Sequence, residues 1–146
     1  MKKIFSLVMA ITLCFLLFGC GGGSSWEQDI SISGGDWVAN GYKNGSAEGG
    51  SLFDVAEKGD PYYEYEITNE TSTHLKDVVV VFSCEGKEGA RTKKWTYKFD
   101  VGKLNPSETK TIKVKHWDMF PEEYDDPGTY WSTDHNIKKV TYKKEK

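Results

Sequence analysis

The chain has 146 residues, 38% hydrophobic and 28% charged, with 19 basic against 22 acidic side chains and a formal charge of −3. That length suits a domain with room for a core, and the acidic balance argues against a protein built to neutralise a phosphate backbone, so no nucleic acid partner is expected. It holds three cysteines, Cys14, Cys20 and Cys84, too few for a disulfide framework.

The first 19 residues have the parts of an export signal. Lys2 and Lys3 give a cationic start, Ile4 to Phe18 is an apolar run broken only by Ser6 and Thr12, and Gly19 is a small residue before a cut. The run of 15 residues is short of the ~20 that span a bilayer as a helix, so a cleaved signal helix is expected rather than a membrane span. Leu17-Phe18-Gly19-Cys20 resembles the bacterial lipobox, an aliphatic residue and two further residues ending in a small one before a cysteine. The resemblance implies cleavage between Gly19 and Cys20. It also implies a diacylglycerol on the Cys20 thiol, with palmitate-type chains sufficient as an anchor because two acyl chains hold a protein stably where one does not.

Gly21-Gly22-Gly23-Ser24-Ser25 has nothing to bury and reads as a flexible tether reaching ~12 Å root-mean-square. Position 21 is not Asp, the residue that favours inner-membrane retention in enterobacterial lipoproteins. The expected place is therefore the outer membrane of a two-membrane cell, or the outer face of the cell membrane where there is only one. Residues 26–146 are read as one domain; without Lys2 and Lys3 the chain keeps 17 basic and 22 acidic residues, a charge of −5. With Cys20 lipidated, Cys84 has no cysteine to pair with and is expected as a small buried residue on a strand.

Helical periodicity is nearly absent from residues 26–146, and period-two alternation recurs in short runs. Trp26, Gln28, Ile30 and Ile32 share one parity of a first strand, ended by Gly34-Gly35, and a second covers 36–42. Lys43 to Pro61 is rich in glycine and reads as a long loop, interrupted by the short apolar segment 52–56. The third strand turns Tyr63, Tyr65 and Ile67 inward. The fourth, Lys76 to Cys84, turns Val78, Val80, Phe82 and Cys84 inward and is apolar on both faces at its start, as a central strand is. A turn over 86–89 leads to the fifth, 91–101, where Trp95, Tyr97 and Phe99 alternate with polar residues. A turn over 104–109 precedes the sixth, 110–116, with Ile112 and Val114 inward, and the seventh covers 137–142. Seven short strands joined by turns predict an all-β chain, a two-sheet, immunoglobulin-like β-sandwich.

Three pieces of 63–114 carry a further resemblance: Ile67-Thr68-Asn69-Glu70, the aliphatic run Leu75 to Phe82, and Leu104-Asn105-Pro106-Ser107-Glu108-Thr109. They resemble the FxLYD and related immunoglobulin-like modules of bacterial envelope proteins. Ser83-Cys84-Glu85 stands where that family has Leu-Tyr-Asp, and Ser107 where it has Gly. The resemblance implies the sandwich and a noncatalytic role, and carries over no ligand and no site residue.

The residues best suited to chemistry lie in 116–131, a span without alternation that reads as a loop at one end of the sandwich, where binding loops cluster. Trp117, Tyr124, Tyr130 and Trp131 would offer a flat platform for sugar rings or a partner's apolar side chains. Asp118, Glu122, Glu123, Asp125 and Asp126 supply the oxygens that Ca²⁺ takes but lack EF-hand spacing, so no metal is expected. The bland reading of the same span is aromatics plugging one end of the sandwich, with the acids left in water. His116, Asp134 and His135 lack the spacing of a zinc site, and His74 lies in a separate turn, so the histidines read as isolated. No phosphate-cradling Gly-Lys-Ser or Gly-Lys-Thr and no Gly-x-Ser-x-Gly occurs, so no cofactor and no catalytic triad is expected.

The chain is therefore expected to be a lipid-anchored, noncatalytic binding or interaction module meeting an envelope protein or a glycan. The alternative is a cell-wall glycan-binding protein, a glycan-active enzyme or an inhibitor of one, acting through 117–131.

Overall fold

A computed structural model describes residues 25–39, 42–43, 60–125, 130 and 132–146, and the side chains of Tyr42, Lys43, Tyr124 and Asp125 lie outside that description. The expectations for Gly19, Cys20, the tether, the 44–59 loop, Asp126 and Trp131 fall outside the described residues.

The described chain is an all-β sandwich. Strands β1 (Ile30–Ala39), β2 (Tyr42–Lys43), β3 (Tyr62–Asn69) and β6 (Thr109–Lys115) form one antiparallel sheet in the order β2-β1-β3-β6. Strands β4 (Leu75–Glu88), β5 (Arg91–Leu104) and β7 (Ser132–Lys144) form the other in the order β5-β4-β7. The chain changes sheet between β3 and β4, between β5 and β6, and between β6 and β7. Among the described residues no helix is long and apolar enough to cross a membrane.

The alternating residues form the core. Ile30, Ile67, Val78, Val80, Phe82 and Val114 are fully enclosed and Cys84 is 1% exposed, while Tyr63, Trp95, Tyr97 and Phe99 pack on them half-buried. Each buried aliphatic or Phe side chain contributes ~1.5–3 kcal/mol, whereas exposed ion pairs such as Lys94 with Glu85 at 3.1 Å contribute ~0–1 kcal/mol. Burial therefore sets the fold. As the central strand of its sheet, β4 is also covered on its second face at Val81, 5% exposed.

Several boundaries differ from expectation: β7 begins at Ser132 rather than 137, β5 runs on to Leu104, and three further differences change what the elements touch. Trp26–Asp29 is a single helical turn, α1, rather than strand. It brings the Asp29 carboxylate to Tyr142 and, at 2.8 Å, to Lys144 of β7, while the Glu70 N–H donates to the Asp29 carbonyl at 2.8 Å. Gly34-Gly35 does not end the first strand: both residues have φ of +92°, and β1 runs on through a bulge opposite Tyr65 and Glu64. A side chain is barred at position 34, where a Cβ would lie 2.7 Å from the Glu64 carbonyl oxygen. Gly86 belongs to β4, paired with Lys93 and Thr133, so the hairpin closes at Gly89-Ala90.

Asn69 joins the turns at the α1 end. Fully buried, it donates from Nδ2 to the carbonyls of Thr73, Leu104 and Asn105 and accepts at Oδ1 from the Thr71 amide and hydroxyl. Its backbone pairs with Ser107 and Glu108 across the 104–109 turn. A buried amide is costly unless satisfied, so one side chain links the turn after β3 to the 104–109 turn.

Candidate functional site at the end opposite the N-terminal entry

The strands β1, β4 and β6 begin at the α1 end, whereas β3, β5 and β7 begin at the other. The β6–β7 connection therefore sits opposite Trp26. Over residues 116–125 it is not the loop expected. His116–Met119 forms a helical turn, α2, and Pro121–Asp125 another, α3, with the Phe120 N–H donating to the His116 carbonyl at 2.9 Å. Met119 and Phe120 are fully enclosed, and the Trp95 indole N–H donates to the Met119 carbonyl at 2.9 Å. Two apolar side chains thus pin the connection between the sheets.

The expected aromatic platform needs correcting at Tyr130. It is only 5% exposed, stacked on Trp95 at 5.8 Å and 24°, with its ring over Gly86. A Cβ on Gly86 would meet that ring at 2.7 Å, so glycine makes the seat. The Tyr130 hydroxyl donates to Glu122 at 2.6 Å, and Lys93 reaches the same carboxylate at 2.8 Å and Glu88 at 3.2 Å. Burial, then Glu122, pushes the Tyr130 hydroxyl up to about 12, while Lys93 and then Tyr130 hold the Glu122 carboxyl below its ordinary range. Trp117 is half-buried, its ring 4.8 Å from that of His116. Asp118 and Glu122 are exposed and Glu123 is partly so; among the described residues no three acids, histidines or cysteines gather to hold a metal. The Tyr124 ring, the Asp125 side chain, Asp126 and Trp131 lie outside the description.

Beneath this end lie two tyrosine–histidine pairs that are not evident in the sequence. The Tyr63 hydroxyl is 3.2 Å from His116 Nδ1 and the Tyr65 hydroxyl 2.8 Å from His135 Nε2, with the Tyr63 and His135 rings 4.1 Å apart. Trp37 packs edge-on against His116 at 5.2 Å. The histidines are therefore not isolated, since both meet Tyr63. The one available signal was parity, which turns Tyr63 and Tyr65 inward towards the end where His116 closes β6.

Burial, then repulsion from His135 when that ring is protonated, lowers His116 to about 4, and burial lowers His135 against the opposing pull of Asp134. Burial raises Tyr63 and pushes Tyr65 up to about 12, and it pushes the Cys84 thiol up to about 11. At neutral pH these are uncharged, hydrogen-bonded side chains. Their hydrogen bonds and ring contacts tie β3 to the start of β7 and to the end of β6. Comparison with protein-family models, with curated proteins and with solved structures finds no match to this chain.

Proposed function

We propose that the chain is a lipid-anchored, extracytoplasmic binding module, held at the membrane through Cys20 and meeting an envelope protein or glycan with its 116–131 end. The observation that carries this reading is the placement of that end opposite the N-terminal entry. A strand of 14 residues such as β4 spans roughly 45 Å at ~3.3 Å per residue, far more than the ~12 Å reach of a five-residue tether. A partner approaching from beyond the membrane surface then meets Trp117, Asp118 and α3 first.

Binding is favoured over glycan hydrolysis by how the acids are used. Hydrolysis needs two carboxyl groups facing a bond across a set gap, and Glu122 is already taken by Lys93 and Tyr130. The test is affinity recovery of the lipidated protein from its own envelope, comparing wild type with Trp117→Ala after matching their melting temperatures. We expect a component that co-purifies with wild type to be depleted at least several-fold in the variant. Identical sets would remove the 116–131 end as the contact surface.

A further inference from the structure

The cations of this acidic chain are not spread evenly. Residues 91–115 carry Arg91, Lys93, Lys94, Lys98, Lys103, Lys110, Lys113 and Lys115 against only Asp100 and Glu108. These residues make β5 and β6, the terminal strands of the two sheets. Both lie on one side of the sandwich, since Lys110 Nζ of β6 donates to the Val101 carbonyl of β5 at 3.1 Å. Neither strand has a partner on its outer edge among the described residues.

The wall between these edges is also apolar. Trp95, Tyr97 and Phe99 face inward from β5 and are half-buried; Trp95 is covered by Tyr130 and Phe120, so Tyr97 and Phe99 are the part of the row open beside β6. Lys113 lies 5.0 Å over the Tyr62 ring, and Lys98 is exposed. Lys94, Lys103 and Lys115 make ion pairs in which the lysine side chains stay 72%, 55% and 56% exposed. Pairs of that kind are weak and exchange readily with carboxylates from outside.

Lysines on an edge strand oppose pairing between two copies of the same strand, which here would set cation against cation. The same lysines attract a strand of opposite charge. We propose that this wall binds an acidic, extended segment of a partner protein, added as a strand along the free edge of β6 with alternate side chains on the aromatic row of β5. A peptide is favoured over an anionic polymer because the free edge offers main-chain donors and acceptors in register, which only another backbone can match along its length. This surface adjoins the 116–131 end at Trp95 but does not depend on the lipid anchor.

The test is a display library of random twelve-residue peptides selected on the mature chain. The enriched peptides are then measured by fluorescence polarisation on wild type and on Lys113→Glu/Lys115→Glu, two exposed lysines of β6 itself, after confirming that the variant keeps its melting temperature. We expect enrichment of acidic peptides with apolar residues at every second position, and affinity falling about tenfold or more in the charge-reversed variant. Methylating alternate peptide backbone nitrogens should abolish binding in one of the two phases. Failure to enrich any peptide, enrichment without acidic bias, or equal affinity for the variant would each overturn the proposal. So would polyphosphate or an acidic polysaccharide competing while backbone methylation has no effect, which would mark a surface for anionic polymers. Self-association of the wild type, abolished by the charge reversal, would mark the wall as an interface between copies and overturn it too.

Discussion

Ser107 occupies the left-handed region at φ of +59° in the turn that Asn69 holds, with its N–H donating to the Asn69 carbonyl at 3.0 Å. A side chain there costs ~1 kcal/mol that glycine avoids, and the hydrogen bond is made by backbone that glycine also has. Ser107→Gly should therefore raise stability by about 1 kcal/mol, read from urea denaturation; a loss of stability would show that the serine hydroxyl matters more than the backbone. His116 works in the opposite sense. The fold holds it neutral down to about pH 4, whereas in the unfolded chain it takes a proton near 6.5. Its contribution is complete above pH 6.5, declines as the pH falls from there, and is lost by about 4; the difference is worth about 3 kcal/mol. The lowered value of His135 acts in the same direction. Denaturation midpoints should fall between pH 7.5 and 4.5 while the His116 ring resonances stay those of the neutral form. A His116 that titrates near 6.5 in the folded protein would contradict this.

At the scale of elements, the strands were legible where one face meets water and the other meets the core. Val78, Val80, Phe82 and Cys84 in β4, Ile112 and Val114 in β6, and the aromatic row of β5 all lie on the predicted faces. What alternation could not settle was glycine. Gly34-Gly35 and Gly86 give the same local signal as a turn, and only the partner strand and the Tyr130 ring, remote in sequence, show that one is a bulge and the other a seat. The 116–125 segment was missed for a different reason. Helices of four and five residues are too short to repeat a helical pattern, and burial of Met119 and Phe120 fixes them instead. The tyrosine–histidine pairs are contacts between β3 and residues far along the chain, which no local pattern encodes. The Gly86 seat can be tested directly: Gly86→Ala should destabilise by about 1–3 kcal/mol in the wild type and clearly less in a Tyr130→Ala background, where the clashing ring is gone. Equal losses in both backgrounds would show that the ring is not what requires the glycine.

Across the whole molecule the charges and the topology are arranged together. The acids Asp118, Glu122 and Glu123 lie at the end away from Trp26, the cations of β5 and β6 line one side, and Asp29 with Tyr142 and Lys144 fastens the N-terminal entry to the last strand. Fastening of this kind ties the position of Trp26 to the rest of the sandwich, so the reading of the 116–131 end depends on whether Cys20 is an anchor. The decisive measurement is mass spectrometry of the N-terminal fragment of the protein recovered from membranes, alongside fractionation of Cys20→Ala. We predict a mature chain that begins at a diacylglyceryl-modified Cys20, and a variant that is either left uncleaved or released from the membrane. A wild-type chain with unmodified Cys20, or processed Cys20→Ala still bound to the membrane, would contradict the lipid anchor.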